Sequence, residues 1–497
     1  MAKSASKFQP IVYVRGYAGS QSEVEETVDD PFYGFGRGST HVRIGPSGDA
    51  QFFGFESPLV RLITDWDYRD VYDQGSEKFD SKRGEEAGSC TIWIFRYYDP
   101  TSKTFKGSQG KRLTIEEAAR DLRDKIKQIK KDTGAEKVYL VAHSMGGLVS
   151  RCLLQKIYPE QGEDPLDHVD KLFTFGTPHG GIHFDVGGGV IEWIRDQVGW
   201  NNADDFGMDR MYQYLTAGVK GKRKAPASFD PRDLQGQFPP ERVFCAVGTN
   251  AHDYEVAFGL SRRSVGPQSD GLVQIQHAHA KGSSRAFIHR SHSGRYGIVN
   301  SEEGFQNLQR FLFGRIRAAL MICDLNLPQE KNVTYQAEVS VSIRGLPILM
   351  QEQTAEHFCP IPLGKGKVKT EHLYTSFLLP SQSATNDDTS RFSIRLAILR
   401  IREQSGIFSF AHHLEKLPLW SDHLIIDVQP KPTGTAFFAR YAWLSECDQP
   451  IEQYQTLPHE IGLKRIQGEA VGEIPFPTTA KDKTGGAVIR IETSYWD

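Results

Sequence analysis

One segment constrains the fold more than any other: Val138 to Leu154, VYLVAHSMGGLVSRCLL. The apolar run Val138 to Ala142 reads as a strand buried on both faces. It passes without a linker into His143-Ser144-Met145-Gly146-Gly147, and a helical pattern follows at Leu148, Cys152, Leu153 and Ile157. A turn this sharp between strand and helix holds its apex residue in a strained conformation and leaves that side chain free. It tolerates only small residues two places before and after the apex. Ala142 and Gly146 meet that demand, and Ser144 is the apex. At the helix N-terminus the Met145 N–H and the positive end of the helix dipole would face negative charge forming beside Ser144, as acyl transfer to a serine requires. Neighbours on a sharp turn point apart, so His143 reads as a packing or hydrogen-bonding residue rather than the base that activates Ser144.

The flanking sequence fits that turn. Up to about residue 317, short β-branched or aromatic runs alternate with helical patterns, which predicts an α/β fold: a mainly parallel sheet with helices on both faces. The strands are Ile11 to Val14, Thr91 to Tyr97, Val138 to Ala142, Val243 to Gly248 and Arg285 to Arg290. A helix starts at Thr114 with the capping pair Thr114 and Glu117 and stops at Gly134. Two insertions, about 20–89 and 182–240, read as cap or lid material, the second with a helical stretch near Ile191 to Val198. A last helix is expected from Ser301 to about Leu320, with Phe305, Leu308, Leu312 and Ile316 on its packed face. Strict alternation then takes over, in Val333 to Ile343 and Phe392 to Ile398, and predicts an antiparallel β-sandwich. The expected domains are therefore 1–322 and 323–497.

Chain order Ser, acid, His is the order this architecture uses. Beyond the strand Val243 to Gly248 stand two candidate acids, Asp253 in NAHDYE and Asp270 in SDGLV. Asp270 is favoured because Gly271 permits a tight turn and an apolar pair anchors it, whereas Asp253 reads equally as a turn cap. The base belongs on a loop after the last strand, where His292 stands; His289 reads as a strand histidine, and the His277/His279 pair is a weak metal signal. A second oxyanion donor is expected after the first strand, at the Tyr17 N–H beside Gly16, joining that of Met145. The pocket is assigned to Gly16, His143, Gly146, Thr177 and His179, although no step of the chemistry demands His179.

Composition excludes several classes. A formal charge of −3 without a long basic run argues against a nucleic-acid partner. Six dispersed cysteines suggest neither a disulfide framework nor a thiolate metal site, so no metal and no cofactor is expected. The N-terminus MAKSASKFQP lacks an apolar signal region, and no apolar run approaches the ~20 residues that span a bilayer. The expectation is a protein that is cytoplasmic or exported without a signal peptide, with room for peripheral contact with a lipid surface.

VAHSMGGLVSR around Ser144, FTFGTPHGG from Phe173 to Gly181, SDGLV around Asp270, and SHSGRYGIVNSEEGFQNLQRFLFG around His292 together cover roughly residues 10–315. In these the chain resembles the lipase and esterase branch of the α/β-hydrolases. Within that branch it resembles the group of triacylglycerol lipases, lecithin–cholesterol acyltransferase relatives and GPI-inositol-deacylase-like proteins. The resemblance implies hydrolysis of an acyl-ester or lipid substrate by Ser144, Asp270 and His292, with an oxyanion hole at Tyr17 and Met145. Many relatives carry His-Gly where this chain has Arg15-Gly16. An acyltransferase or phospholipase using the same three residues, and a binding protein on a decayed hydrolase scaffold, are the competing expectations.

Overall fold

The computed structural model describes residues 8–16, 40–44, 50–54, 58–73, 76–77, 89–95, 97, 113–182, 206–253, 268–293, 297–379, 389–403, 414–431 and 437–496. The chain divides into two compact units, residues 1–285 with 289–305, and residues 286–288 with 306–497.

A seven-stranded sheet organises the first region. Its strands are β1 (Ile11–Val14), β2 (Arg69–Asp70), β3 (Thr91–Phe95), β4 (Val138–His143), β5 (Val169–Phe175), β6 (Val243–Gly248) and β7 (Ser284–Ile288), in the order β7-β6-β5-β4-β1-β3-β2. The pairs from β2 through β6 run parallel. Such strands are buried on both faces, which is why IVYV and VFCAVG are apolar without alternation. Register brings Val14 beside Ala142 and Ala142 beside Thr174. The carboxyl ends of β1, β4 and β5 therefore emerge at one edge of the sheet, where ligands bind in open α/β folds.

Helix α1 spans Pro58–Trp66 and α2 spans Ile115–Thr133. In α2 the Glu117 N–H donates to Thr114 Oγ1 (3.2 Å) and the Thr114 N–H donates to Glu117 Oε2 (2.8 Å), closing the expected capping box. Gly134 ends the helix in the left-handed region, at φ 70°. The buried face holds Ile115, Leu122, Ile126 and Ile129, and each such side chain contributes about 2 kcal/mol on leaving water. Helix α3 (Met145–Cys152) follows β4 directly and runs on through a π-helical turn, Leu153–Ile157.

Within the second insertion the structure has a helix α4, Met208–Leu215, which the sequence pattern did not single out. The stretch near Ile191 to Val198, where a helix was expected, lies outside the described residues. Residues 206–240 are anchored by apolar side chains: Phe206, Met211, Tyr214, Leu215, Leu234 and Phe238 are buried. Two buried cations on the α3 side hold this segment by its carbonyls. Arg151 donates to Asp233 O (3.1 Å), and Lys156 donates to Thr216 O (3.1 Å) and Val219 O (2.6 Å).

The last helix, α5 (Glu302–Phe313), is shorter than expected. Gly314 follows it, and Ile316 to Asn326 form a strand, β8. Ile316, expected on the helix's packed face, belongs instead to an apolar strand buried along most of its length. Continuous apolar runs of this kind suit either element, and pairing decides.

The second unit contains two antiparallel sheets. Its further strands are β9 (Val333–Ile343), β10 (Leu349–Gln353), β11 (Ile361–Gly364), β12 (Lys367–Leu378), β13 (Ser390–Glu403), β14 (Leu414–Pro430), β15 (Phe437–Trp443), β16 (His459–Glu460), β17 (Lys464–Ile466), β18 (Glu469–Pro475) and β19 (Val488–Tyr495). One sheet runs β12-β8-β19-β18-β17; the other runs β10-β9-β13-β14-β15-β16, with β11 also paired to β9. In β9 the alternate residues Val333, Tyr335, Ala337, Val339, Val341 and Ile343 are all buried, the pattern of a sandwich strand with one face toward the core.

Candidate functional site

Ser144 sits at φ 52°, ψ −126° between β4 and α3. This region costs a residue with a Cβ about 1–3 kcal/mol and persists only where the surroundings enforce it. Here they do. The Ser144 N–H donates to Phe175 O (2.9 Å), and Ser144 O accepts from the Gly147 N–H (3.0 Å) and from Thr177 Oγ1 (2.9 Å). A Cβ on Gly146 would lie 2.3 Å from Val14 O, and one on Gly147 would lie 2.1 Å from Thr177 Oγ1. The two glycines are therefore what lets α3 start against β1 and the loop after β5.

The sequence-predicted residues meet at this turn. His292 Nε2 is 3.0 Å from Ser144 Oγ, and His292 Nδ1 is 2.8 Å from Asp270 Oδ2. Asp270 is fully buried, and its other oxygen accepts from the N–H groups of Leu272 (3.0 Å) and Val273 (2.8 Å). The apolar pair that favoured Asp270 in the sequence thus anchors the carboxylate through its main chain. Asp253 is exposed and closes a turn with Asn250, whose Nδ2 donates to Asp253 Oδ2 at 2.8 Å. His289 lies just past β7, exposed, with Nδ1 3.3 Å from Thr249 Oγ1. The loop bearing His292 is held from below by Arg290, which donates twice to Glu303 (3.0 and 3.2 Å).

Met145 opens α3. Tyr17, the second expected oxyanion donor, lies outside the described residues. Gly16 is buried at the end of β1, where an added Cβ would stand 2.7 Å from His143 Nδ1. His143 Nε2 donates to His292 O at 3.0 Å, and the two imidazoles tilt against each other with centroids 5.1 Å apart. Thr177 is fully buried and braces the turn through its hydroxyl. His179 is fully buried as well: Nε2 lies 3.1 Å from Thr174 Oγ1 and 3.4 Å from Cys245 Sγ, and its carbonyl accepts from Arg151 Nη1 at 3.1 Å. Its surroundings are those of a structural histidine. Arg151 itself carried no sequence signal, because burial of a lone cation on backbone carbonyls depends on segments far away in the chain.

Burial holds three histidines neutral. His143 is pushed down to about 3 by burial and then by the neighbouring ring of His292. His279 is also pushed down to about 3 by burial, with Arg285 and Arg232 adding to the effect, and burial takes His179 well below its ordinary value. An unfolded chain would protonate all three near 6.5. As pH falls below that value the unfolded state therefore binds protons the native state refuses, and stability is lost. The contribution is full above about pH 6.5 and declines as pH falls, toward about 3 for His143 and His279, at about 1.4 kcal/mol per pH unit for each group. Urea unfolding at pH 7, 6 and 5 should show a falling midpoint at constant m-value, and His143→Gln should make the fall shallower by about one proton's worth. A midpoint that does not move over this range would mean that these rings are not buried neutral.

Among the described residues no group of three His, Cys, Asp or Glu is placed to hold a metal ion, and all six cysteines are free thiols. No helix among them is long and apolar enough to cross a membrane.

Residues 100–189 match the family described as the PGAP1-like alpha/beta domain. Among solved structures the chain is similar to the Bacillus licheniformis lipase BlEst2, at 16% identity over 62% of this chain and 93% of that one, with a TM-score of 0.30. It is also similar to phospholipase PlaB from Legionella pneumophila, at 11% identity over 83% of this chain and 92% of that one, with a TM-score of 0.31. Likenesses this remote speak to no residue of the site. The comparison with curated proteins finds no match.

Proposed function

We propose that this chain is a lipase- and esterase-like α/β-hydrolase that cleaves carboxylic esters with Ser144 as nucleophile, His292 as general base and acid, and Asp270 as the carboxylate that holds His292. The observation that carries this reading is one unbroken relay: Asp270 Oδ2 is 2.8 Å from His292 Nδ1, and His292 Nε2 is 3.0 Å from Ser144 Oγ.

Asp270 can only accept along this line, so His292 carries its proton on Nδ1 and presents a lone pair at Nε2. Ser144 Oγ attacks the ester carbonyl, its proton passes to Nε2, and the carbonyl π pair moves onto oxygen. The Met145 N–H, and that of Tyr17, stabilise this oxyanion. Collapse breaks the bond to the alkoxide, which leaves with the proton from Nε2, and the acyl group stays on Ser144. Water then repeats the sequence, releasing the carboxylic acid and restoring the serine. Gly16 leaves room beside Ser144 Cβ, and Gly146 with the Thr177-braced turn lets α3 start close against β1. The substrates are acyl esters, lipid esters among them.

A fluorophosphonate probe tests the reading, because it needs an activated serine. The expected result is one adduct per chain, on the peptide containing Ser144, together with turnover in a panel of p-nitrophenyl esters, triacylglycerols and phospholipids. The same panel with an added alcohol separates hydrolysis from acyl transfer. Folded protein that takes no probe would refute the proposal.

A further inference from the structure

We infer that His143 is a positioning residue, which sets the distance between Ser144 and His292 by hydrogen bonding to the main chain of the histidine. This rests on the serine-hydrolase reading and deepens it.

Three contacts fix His292, and each acts on a different part of it. Its ring is held by Asp270 Oδ2, its N–H donates to Asp270 O at 2.8 Å, and its carbonyl accepts from His143 Nε2 at 3.0 Å. The first two tie His292 to the loop that bears Asp270. The third ties it to the residue next to Ser144, so both members of the reacting pair are referred to one rigid point at the end of β4. A carbonyl can only accept, so His143 bears its proton on Nε2. Its other nitrogen faces β1, where Gly16 leaves room that any Cβ would close to 2.7 Å. His143 thus packs between the loop after β1 and the loop of His292, which explains a polar ring at a position whose residue type the turn itself does not dictate. Burial and the neighbouring His292 ring keep it neutral, so it does not repel the imidazolium that forms on His292 during the reaction.

Two substitutions separate the hydrogen bond from the packing. His143→Leu keeps the volume and removes the donor, whereas His143→Gln places an amide N–H at about the reach of Nε2. Displacing a reacting group by about 1 Å costs on the order of 100-fold. His143→Leu is therefore expected to slow both kcat and the fluorophosphonate reaction at Ser144 by about 10- to 100-fold with KM within about twofold. His143→Gln should recover to within about fivefold of wild type. Should His143→Leu lose its near-ultraviolet dichroism, His143→Asn replaces it, since that amide stops at the level of Nδ1 and cannot reach the carbonyl. Equal rates in wild type and the Leu or Asn variant would overturn the inference, as would a Gln variant as slow as Leu. Failure of the wild-type protein to react at all would remove the serine-hydrolase reading and this inference with it, so the two failures are told apart by the wild-type control.

Discussion

Ser144→Ala is expected to lower kcat for a p-nitrophenyl ester by about 10⁵- to 10⁶-fold, the scale seen when a serine hydrolase of another fold loses its nucleophile. The magnitude follows from removing the covalent route altogether: His292 has no serine proton to take, and what remains is direct attack by water near the oxyanion donors, about 10³–10⁴-fold above the solvent reaction. The melting temperature should hardly move. Alanine keeps a Cβ at φ 52°, so the strain of the turn is unchanged, and the hydrogen bond that disappears is the 3.0 Å one to His292. Ser144→Gly is the informative partner: it also abolishes turnover but relieves the strained conformation, so it should melt higher than Ser144→Ala. Turnover above about 1% of wild type in either variant, after excluding contaminating esterase, lies far above the residual rate such a site supports and would remove Ser144 from the mechanism.

Asp270→Asn should cost about 10⁴-fold in kcat, while Asp253→Asn should leave it within about twofold, as surface changes away from a site do. The difference is one of wiring. The Asp270 carboxylate is fully buried and accepts from Leu272, Val273 and His292. An asparagine there can keep its oxygen on the two backbone N–H groups and then turns an NH₂ toward His292 Nδ1. Nδ1 must become an acceptor, the ring proton moves to Nε2, and the base faces Ser144 with a hydrogen where it needs a lone pair. Asp253 is exposed and bonded to Asn250 within one turn, so its substitution disturbs nothing beyond that turn. Steady-state rates of the two variants at pH 8 decide the matter, and a large loss in Asp253→Asn with little in Asp270→Asn would reverse the assignment of the acid.

Local chemistry made much of the chain legible in advance. The turn at Ser144 needed small residues at fixed offsets, the helix from Ile115 needed Thr114, Glu117 and Gly134, and β9 needed alternate apolar residues, all within a few positions of one another. Such features are determined by the sequence itself, because sterics and hydrogen bonding between near neighbours leave few alternatives. The rest depended on residues remote along the chain. Sequence order placed His292 on the loop after the last strand, but its approach to Ser144 spans 148 positions. The residues from Ile316 onward form a strand rather than more helix because Val488–Tyr495 and Lys367–Leu378 pair with them on either side. Arg151 and Lys156 found their partners in the carbonyls of Asp233, Thr216 and Val219, and His143 found its partner in a carbonyl that no spacing in the sequence announces. Periodicity reports which face of an element is apolar, but only the folded chain brings that face, and each buried donor, to its partner.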